Sequence, residues 1–118
     1  MIYRYEIEDV PPSNNRFLGR NNRYKYAEEK SKWEKLIKYT ATSKPLAPIK
    51  RSKITITYGF TDKRRRDPDN YSGKFILDGL TKVGIIEDDS FYNIDLKLCA
   101  VFGVKKARTV IEVEETEC

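Results

Sequence analysis

Prolines at positions 11, 12, 45, 48 and 68 cut this chain into segments, each with its own periodicity. A proline fixes φ and lacks the backbone donor, so neither a helix interior nor a central strand runs through it. Ahead of Pro11, residues 2–10 are rich in β-branched and aromatic residues and read as a first strand. From residue 24 to about 41, Tyr26, Ala27, Trp33, Leu36, Ile37 and Thr40 recur at helical spacing, with charges on the opposite face. After Pro48, Ile54, Ile56, Tyr58 and Phe60 alternate with Thr55, Thr57 and Gly59, a second strand. Beyond Asp69, Phe75, Ile76, Leu77, Leu80 and Val83 mark a second helix, closed by Gly84 at a left-handed C-terminal position. Residues 94–104 and 109–113 read as two more strands around a basic turn, and residues 114–118 as a frayed end.

This order, β-α-β-α-β-β, predicts one α+β domain over residues 1–118, a mixed sheet of about four strands packed with two helices and ending in a hairpin. At 118 residues with 39% hydrophobic side chains, one core forms without staples. Histidine is absent, which excludes Ser-His-Asp triads, histidine-base nucleases and histidine-ligated zinc. Cys99 and Cys118 lack metal-type spacing; Cys99, inside an apolar run, reads as a small core residue. Both are expected as reduced thiols. With no signal peptide and no apolar run of membrane-spanning length, the expectation is a soluble, cytoplasmic protein with no membrane partner and no organic cofactor.

Charge is unevenly placed. Residues 1–66 hold 17 Lys/Arg against 7 Asp/Glu, net +10, whereas residues 67–118 hold 6 against 11, net −5. The boundary is the stretch KRRRDPDNYSGKFILDGLTKVGIIEDD, where Lys63, Arg64, Arg65 and Arg66 meet Asp67 and Asp69, and Asp88 and Asp89 follow one helix later. Hard cations such as Mg²⁺ are held by a few carboxylates while substrate phosphates complete the shell, and basic side chains neutralise the remaining phosphate charge. This pattern points to metal-dependent phosphodiester chemistry. The polar loop with Asn15, Arg16, Arg20 and Arg23 offers further phosphate contacts, although spacing alone favours ordinary loop composition. Helical spacing of four residues would stack Asn70, Lys74 and Asp78 along one side of the second helix.

Plainer readings compete. Asp67 serves as a helix N-cap before Pro68, with Asp69 favouring the dipole, but that leaves Asp88 and Asp89 unexplained. Lys74 and Asp78 form an ordinary surface pair, which leaves Asn70 idle. An EF-hand calcium loop places Asp67, Asp69 and Asp78 at its first, third and twelfth positions. It fails because Tyr71 stands at the fifth, Gly73 is one residue late, and Phe75 to Leu77 belong to a helix. The carboxylates also suit a non-catalytic, basic DNA-binding module in which they are structural.

Taken together, RRRDPDN, then Lys74, then DGL, then IIEDDS resemble the RusA family of Holliday junction resolvases, and Pro11, Pro12, Ser13 and Asn15 resemble that family's N-terminal Pro-Pro-Ser-x-Asn. The resemblance implies a Mg²⁺-dependent endodeoxyribonuclease that acts as a homodimer on four-way DNA junctions in recombination and repair, in a bacterial or phage-infected cell. It matches Asp67, Asp69 and Asp89 to the metal-binding carboxylates, with Asp88 adjacent. Lys74 matches the essential lysine, with one residue more between it and Asn70 than in the prototype. Lys63, Arg64, Arg65, Arg66, Asn15 and Arg16 are then the expected DNA contacts, Asn70 and Asp78 supporting residues. Phe17, Phe91 and Tyr92 are candidates for wedging into a junction or for packing a dimer or core. Other branched DNA is an alternative substrate.

Overall fold

A computed structural model describes residues 2–14 and 23–116. The elements are β1 (Ile2–Ile7), α1 (Arg23–Thr40), β2 (Ser52–Phe60), a one-turn 3₁₀ helix (Pro68–Tyr71), α2 (Lys74–Val83), β3 (Ile94–Phe102) and β4 (Arg108–Glu115). Apart from the added 3₁₀ turn, this is the order expected from the sequence. The four strands form one mixed sheet in the order β1-β4-β2-β3, with β2 and β3 parallel and β4 antiparallel to both β1 and β2.

β2 and β4 carry the core because their alternation puts an apolar row on one face. Ile54, Ile56 and Tyr58 lie opposite Val113, Ile111 and Thr109, and Tyr5 of β1 lies opposite Ile111 from the other side. Trp33 and Ile37 of α1 and Phe75, Ile76, Leu77 and Leu80 of α2 pack on this row. Each buried aliphatic or aromatic side chain of this set contributes roughly 1.5–3 kcal/mol. The helices approach closely at Gly79, where a Cβ would stand 2.5 Å from Ile37 Cδ1.

Several expectations need correcting. β1 stops at Ile7, not Val10, because Glu8 and Asp9 bend the chain ahead of the proline pair. Ala27 is exposed, off the buried face of α1. The second helix does not start after Asp69: the 3₁₀ turn comes first, then Gly73 at φ 84°, and α2 begins at Lys74. Asn70 therefore cannot stack with Lys74 and Asp78 on one helix. β3 and β4 are not a hairpin, since β4 sits on the far side of β2. The connection crosses the end of β2, where Phe60 O accepts from the N–H groups of Gly103 (2.8 Å) and Val104 (3.1 Å). Glu114 and Glu115 are paired strand residues, not a frayed end. Cys99 is free and only half-buried, because it lies on the edge strand opposite Thr57 rather than in the core row.

Candidate metal and nucleic-acid site

The turn carrying Asp67 and Asp69 is clamped from beneath by aromatic rings. Tyr71 meets Phe60 edge-on at 5.1 Å and Tyr58 at 5.8 Å. Asp67 occupies the position ahead of the 3₁₀ helix, with Pro68 following, but its side chain makes no capping bond. It accepts instead from Arg65 Nε at 3.3 Å. The capping reading is thus right about position and wrong about chemistry.

The N-terminal proline segment docks on the same turn. Asn14 Nδ2 donates to Asp69 O and to Ser72 Oγ, both at 3.1 Å, across more than fifty residues of sequence. Asn14, not Asn15, is the described asparagine that touches the turn; Asn15 and Arg16, with Phe17 and Arg20, lie outside the described residues. Ser13 joins Arg64, Arg65, Arg66, Asp67, Asn70 and Tyr71 around a polar groove of about 290 Å³.

The four cations do not share one role. Arg64 and Arg65 have 81% and 90% of their side chains exposed, whereas Arg66 has 14%. Arg66 donates to Asp62 at 2.9 Å and to Arg64 O at 3.1 Å, and its guanidinium lies 4.1 Å over the Phe60 ring. Arg66 and the Arg64 backbone N–H hold the Asp62 carboxyl down at about 2. Arg66 is therefore a pin for the loop, and Asp62 is its partner, a pair that sequence spacing of four residues outside a helix did not single out. Lys63 is exposed and runs along Gly103, so the cation run shares one end of the sheet with Lys105 and Lys106 of the β3–β4 connection.

The second acidic pair is placed by the apolar residues before it. Gly84 ends α2 at φ 89°, and Ile85 and Ile86 are buried beside Ile49, with Ile49 N–H to Ile85 O and Glu87 N–H to Ile49 O both at 3.0 Å. Asp88 and Asp89 emerge from this clamp, Asp89 N–H donating to Asp88 Oδ1 at 2.9 Å. Partial burial, the Asp88 side chain and the charges of Asp78 and Asp88 raise the Asp89 pKa. Asp78, expected only as a supporting residue of a helical stripe, adds its charge to the causes that raise the Asp89 pKa. Lys74 makes no ion pair with Asp78 among the described residues; its ammonium sits 5.5 Å from the centre of the Tyr26 ring.

A cation's fit can be judged from these carboxylates. Among the described residues, no three His, Cys, Asp or Glu side chains form a group ready to hold a metal ion. The carboxylate oxygens are of the hard type that Mg²⁺ takes, but Asp67 lines the polar groove whereas Asp89 lines a separate depression with Leu77, Ser90 and Phe91, and partial burial is the main reason the Asp89 pKa is raised. No protein-family model and no curated protein matches the chain. No helix among the described residues is long and apolar enough to cross a membrane.

Proposed function

We propose that this chain is a Mg²⁺-dependent endodeoxyribonuclease that resolves four-way DNA junctions by paired nicks, working as a homodimer in the cytoplasm of a bacterial or phage-infected cell. One observation carries the reading. Segments far apart in sequence, Ser13, the Arg64–Arg66 run and the Asp67–Asn70 turn, line one polar groove with the exposed Arg64 and Arg65 guanidinium groups and the Asp67 carboxylate, and Asn14 ties down the same turn. Phosphate contacts of this kind position a nucleic-acid backbone.

Asp67, Asp69 and Asp89, with Asp88 next to Asp89, are the residues that would hold the cation. When bound, Mg²⁺ supplies Lewis-acid stabilisation of the charge that builds on the scissile phosphate and eases deprotonation of the attacking water. Arg64 and Arg65 bind and orient the phosphodiester backbone. Asn14 fixes the Asp69 backbone and Ser72, and Arg66 with Asp62 sets the loop from which both arginines project. Lys74, at the first position of α2, offers an exposed ammonium to phosphate or water.

The pairing of Asp67 with Arg65 favours a second reading, a DNA-binding module in which the carboxylates order the basic loop and catalyse nothing. Incubating the protein with linear duplex, single-stranded, flap and four-way DNA, each with and without Mg²⁺, separates the two. Nicking that requires Mg²⁺ and prefers the four-way substrate is the expected result; binding without nicking supports the module, and preference for flaps moves the substrate to other branched DNA.

The unequal burial of the cations yields a prediction about salt. Replacing Arg64 and Arg65 with Ala should weaken DNA binding and reduce the slope of log K against log[salt] by about 0.9 for each phosphate no longer neutralised, with the fold intact. Arg66→Ala should instead lower thermal stability, since it removes the shorter of the two ion pairs to Asp62 and the guanidinium that lies over the Phe60 ring. An unchanged slope in the double variant would show that the exposed guanidinium groups are only solvated surface.

A further inference from the structure

We propose that the outer edge of β3 is a self-complementary interface at which a second copy of this chain adds its own β3 antiparallel, about a twofold axis through Leu96. This rests on the two-copy reading above, gives it a surface, and is tested without reference to cleavage.

β3 is nine residues long, contains neither proline nor glycine, and bonds only to β2, so its other edge presents unpaired backbone groups among the described residues. Edge strands of soluble proteins are commonly shortened, bulged or heavily charged against association. This one is apolar. Phe91 (97% exposed), Tyr92 (92%), Val101 (46%), Phe102 (42%) and Leu96 (40%) all fall on it or on the turn that leads into it. That turn is closed by hydrogen bonds: Asn93 and Ile94 N–H donate to Ser90 O at 2.9 and 3.0 Å, and Arg51 Nη1 donates to Phe91 O at 2.9 Å. Two aromatic rings are thus held out in water on a hydrogen-bonded turn beside an open strand edge.

The charges select the register. Asp95 and Lys97 are the strand's two charged residues, and they flank Leu96 on the face opposite the helices. A twofold axis at Asp95 or Lys97 sets like charges against each other, which destabilises a cross-strand pair. An axis at Leu98 sets Asp95 against Val101. An axis at Leu96 sets each Asp95 against Lys97 of the partner subunit, Leu96 against its own copy, and Ile94 against Leu98 of the partner subunit. The same register brings the Ser90–Asn93 turn beside the far half of the other copy's strand, which carries the exposed Val101.

Sedimentation equilibrium in DNA-free, metal-free buffer tests this with two charge reversals. Asp95→Lys sets lysine against lysine twice and Lys97→Asp sets aspartate against aspartate twice, so each should raise the dimer dissociation constant by roughly tenfold or more. Lys97→Asp leaves the Arg51–Asp95 pair (2.9 Å) untouched and so guards against misfolding as the cause. Mixed in equal amounts, the two variants carry opposite charges at both pairs and should recover the wild-type dimer. A wild-type monomer at micromolar concentration overturns both this interface and the two-copy reading. A wild-type dimer whose variants stay dimeric, or whose mixed variants fail to recover, overturns the interface and leaves the two-copy reading standing.

Discussion

Asp89→Asn is expected to abolish Mg²⁺-dependent cleavage, a loss on the order of 10³-fold or more, while affinity for four-way DNA holds or rises and thermal stability does not fall. The first part follows because a cation's stabilisation of transition-state charge amounts to several kcal/mol, and each 1.36 kcal/mol is about tenfold in rate. Binding is expected to survive because the exposed Arg64 and Arg65 are untouched and one negative charge is removed from the proposed DNA-binding side. The stability part comes from linkage. Asp89 has a folded-state pKa raised above the ordinary carboxylate value by partial burial, by the Asp88 side chain and by the charges of Asp78 and Asp88. Ionising a group whose pKa is higher in the folded state costs the native state as pH rises from the unfolded value through the raised one. The neutral amide avoids that cost. A purely structural aspartate would show the reverse, a stability loss on replacement. Asp67→Asn and Asp69→Asn should likewise lose cleavage and keep binding, and near-normal nicking by any of the three would remove that residue from the proposed metal site.

Gly73→Ala is expected to destabilise the fold by about 2–4 kcal/mol, from backbone and steric terms together. Gly73 holds φ 84°, where L-residues are strained by roughly 1–2 kcal/mol, and a Cβ there would meet Ile56 Cδ1 at 2.8 Å in the centre of the core. Gly84→Ala separates the two terms. Gly84 has a similar φ of 89° but open space around the position a Cβ would take, so it should lose only the backbone term, about 1–2 kcal/mol. Urea unfolding of both variants measures the difference. Equal losses would mean that the turn shifts to let Ile56 relax.

Gly73 also marks where local pattern ran out. The apolar period from Phe75 to Val83 and the closing Gly84 were legible because helical spacing and a left-handed C-terminal residue are local properties. Where α2 begins was not, because it depends on Gly73 packing against Ile56, a contact between distant segments. The same division holds for the sheet. The alternation of Ile54, Ile56, Tyr58 and Phe60 identified β2, but the placement of β4 between β1 and β2 depends on the connection capped by Phe60 O, which no local spacing announces. At the candidate site the charged residues, apart from Asp62, were singled out in sequence. Their roles were not: Arg66 is distinguished from Arg64 and Arg65 by its burial and by the Phe60 ring beneath its guanidinium, and Asp78 by the part its charge takes in raising the Asp89 pKa.

Paired, Mg²⁺-dependent cutting of four-way DNA has a topological signature. In a supercoiled plasmid that extrudes a cruciform, two symmetric nicks across the junction linearise the circle, whereas a single nick only relaxes it. Linear product, its ends mapping to the base of the cruciform, is expected with Mg²⁺, and none without it or with Asp89→Asn. Plasmid that stays supercoiled with Mg²⁺ present, while the protein remains bound to the junction, would refute the nuclease reading.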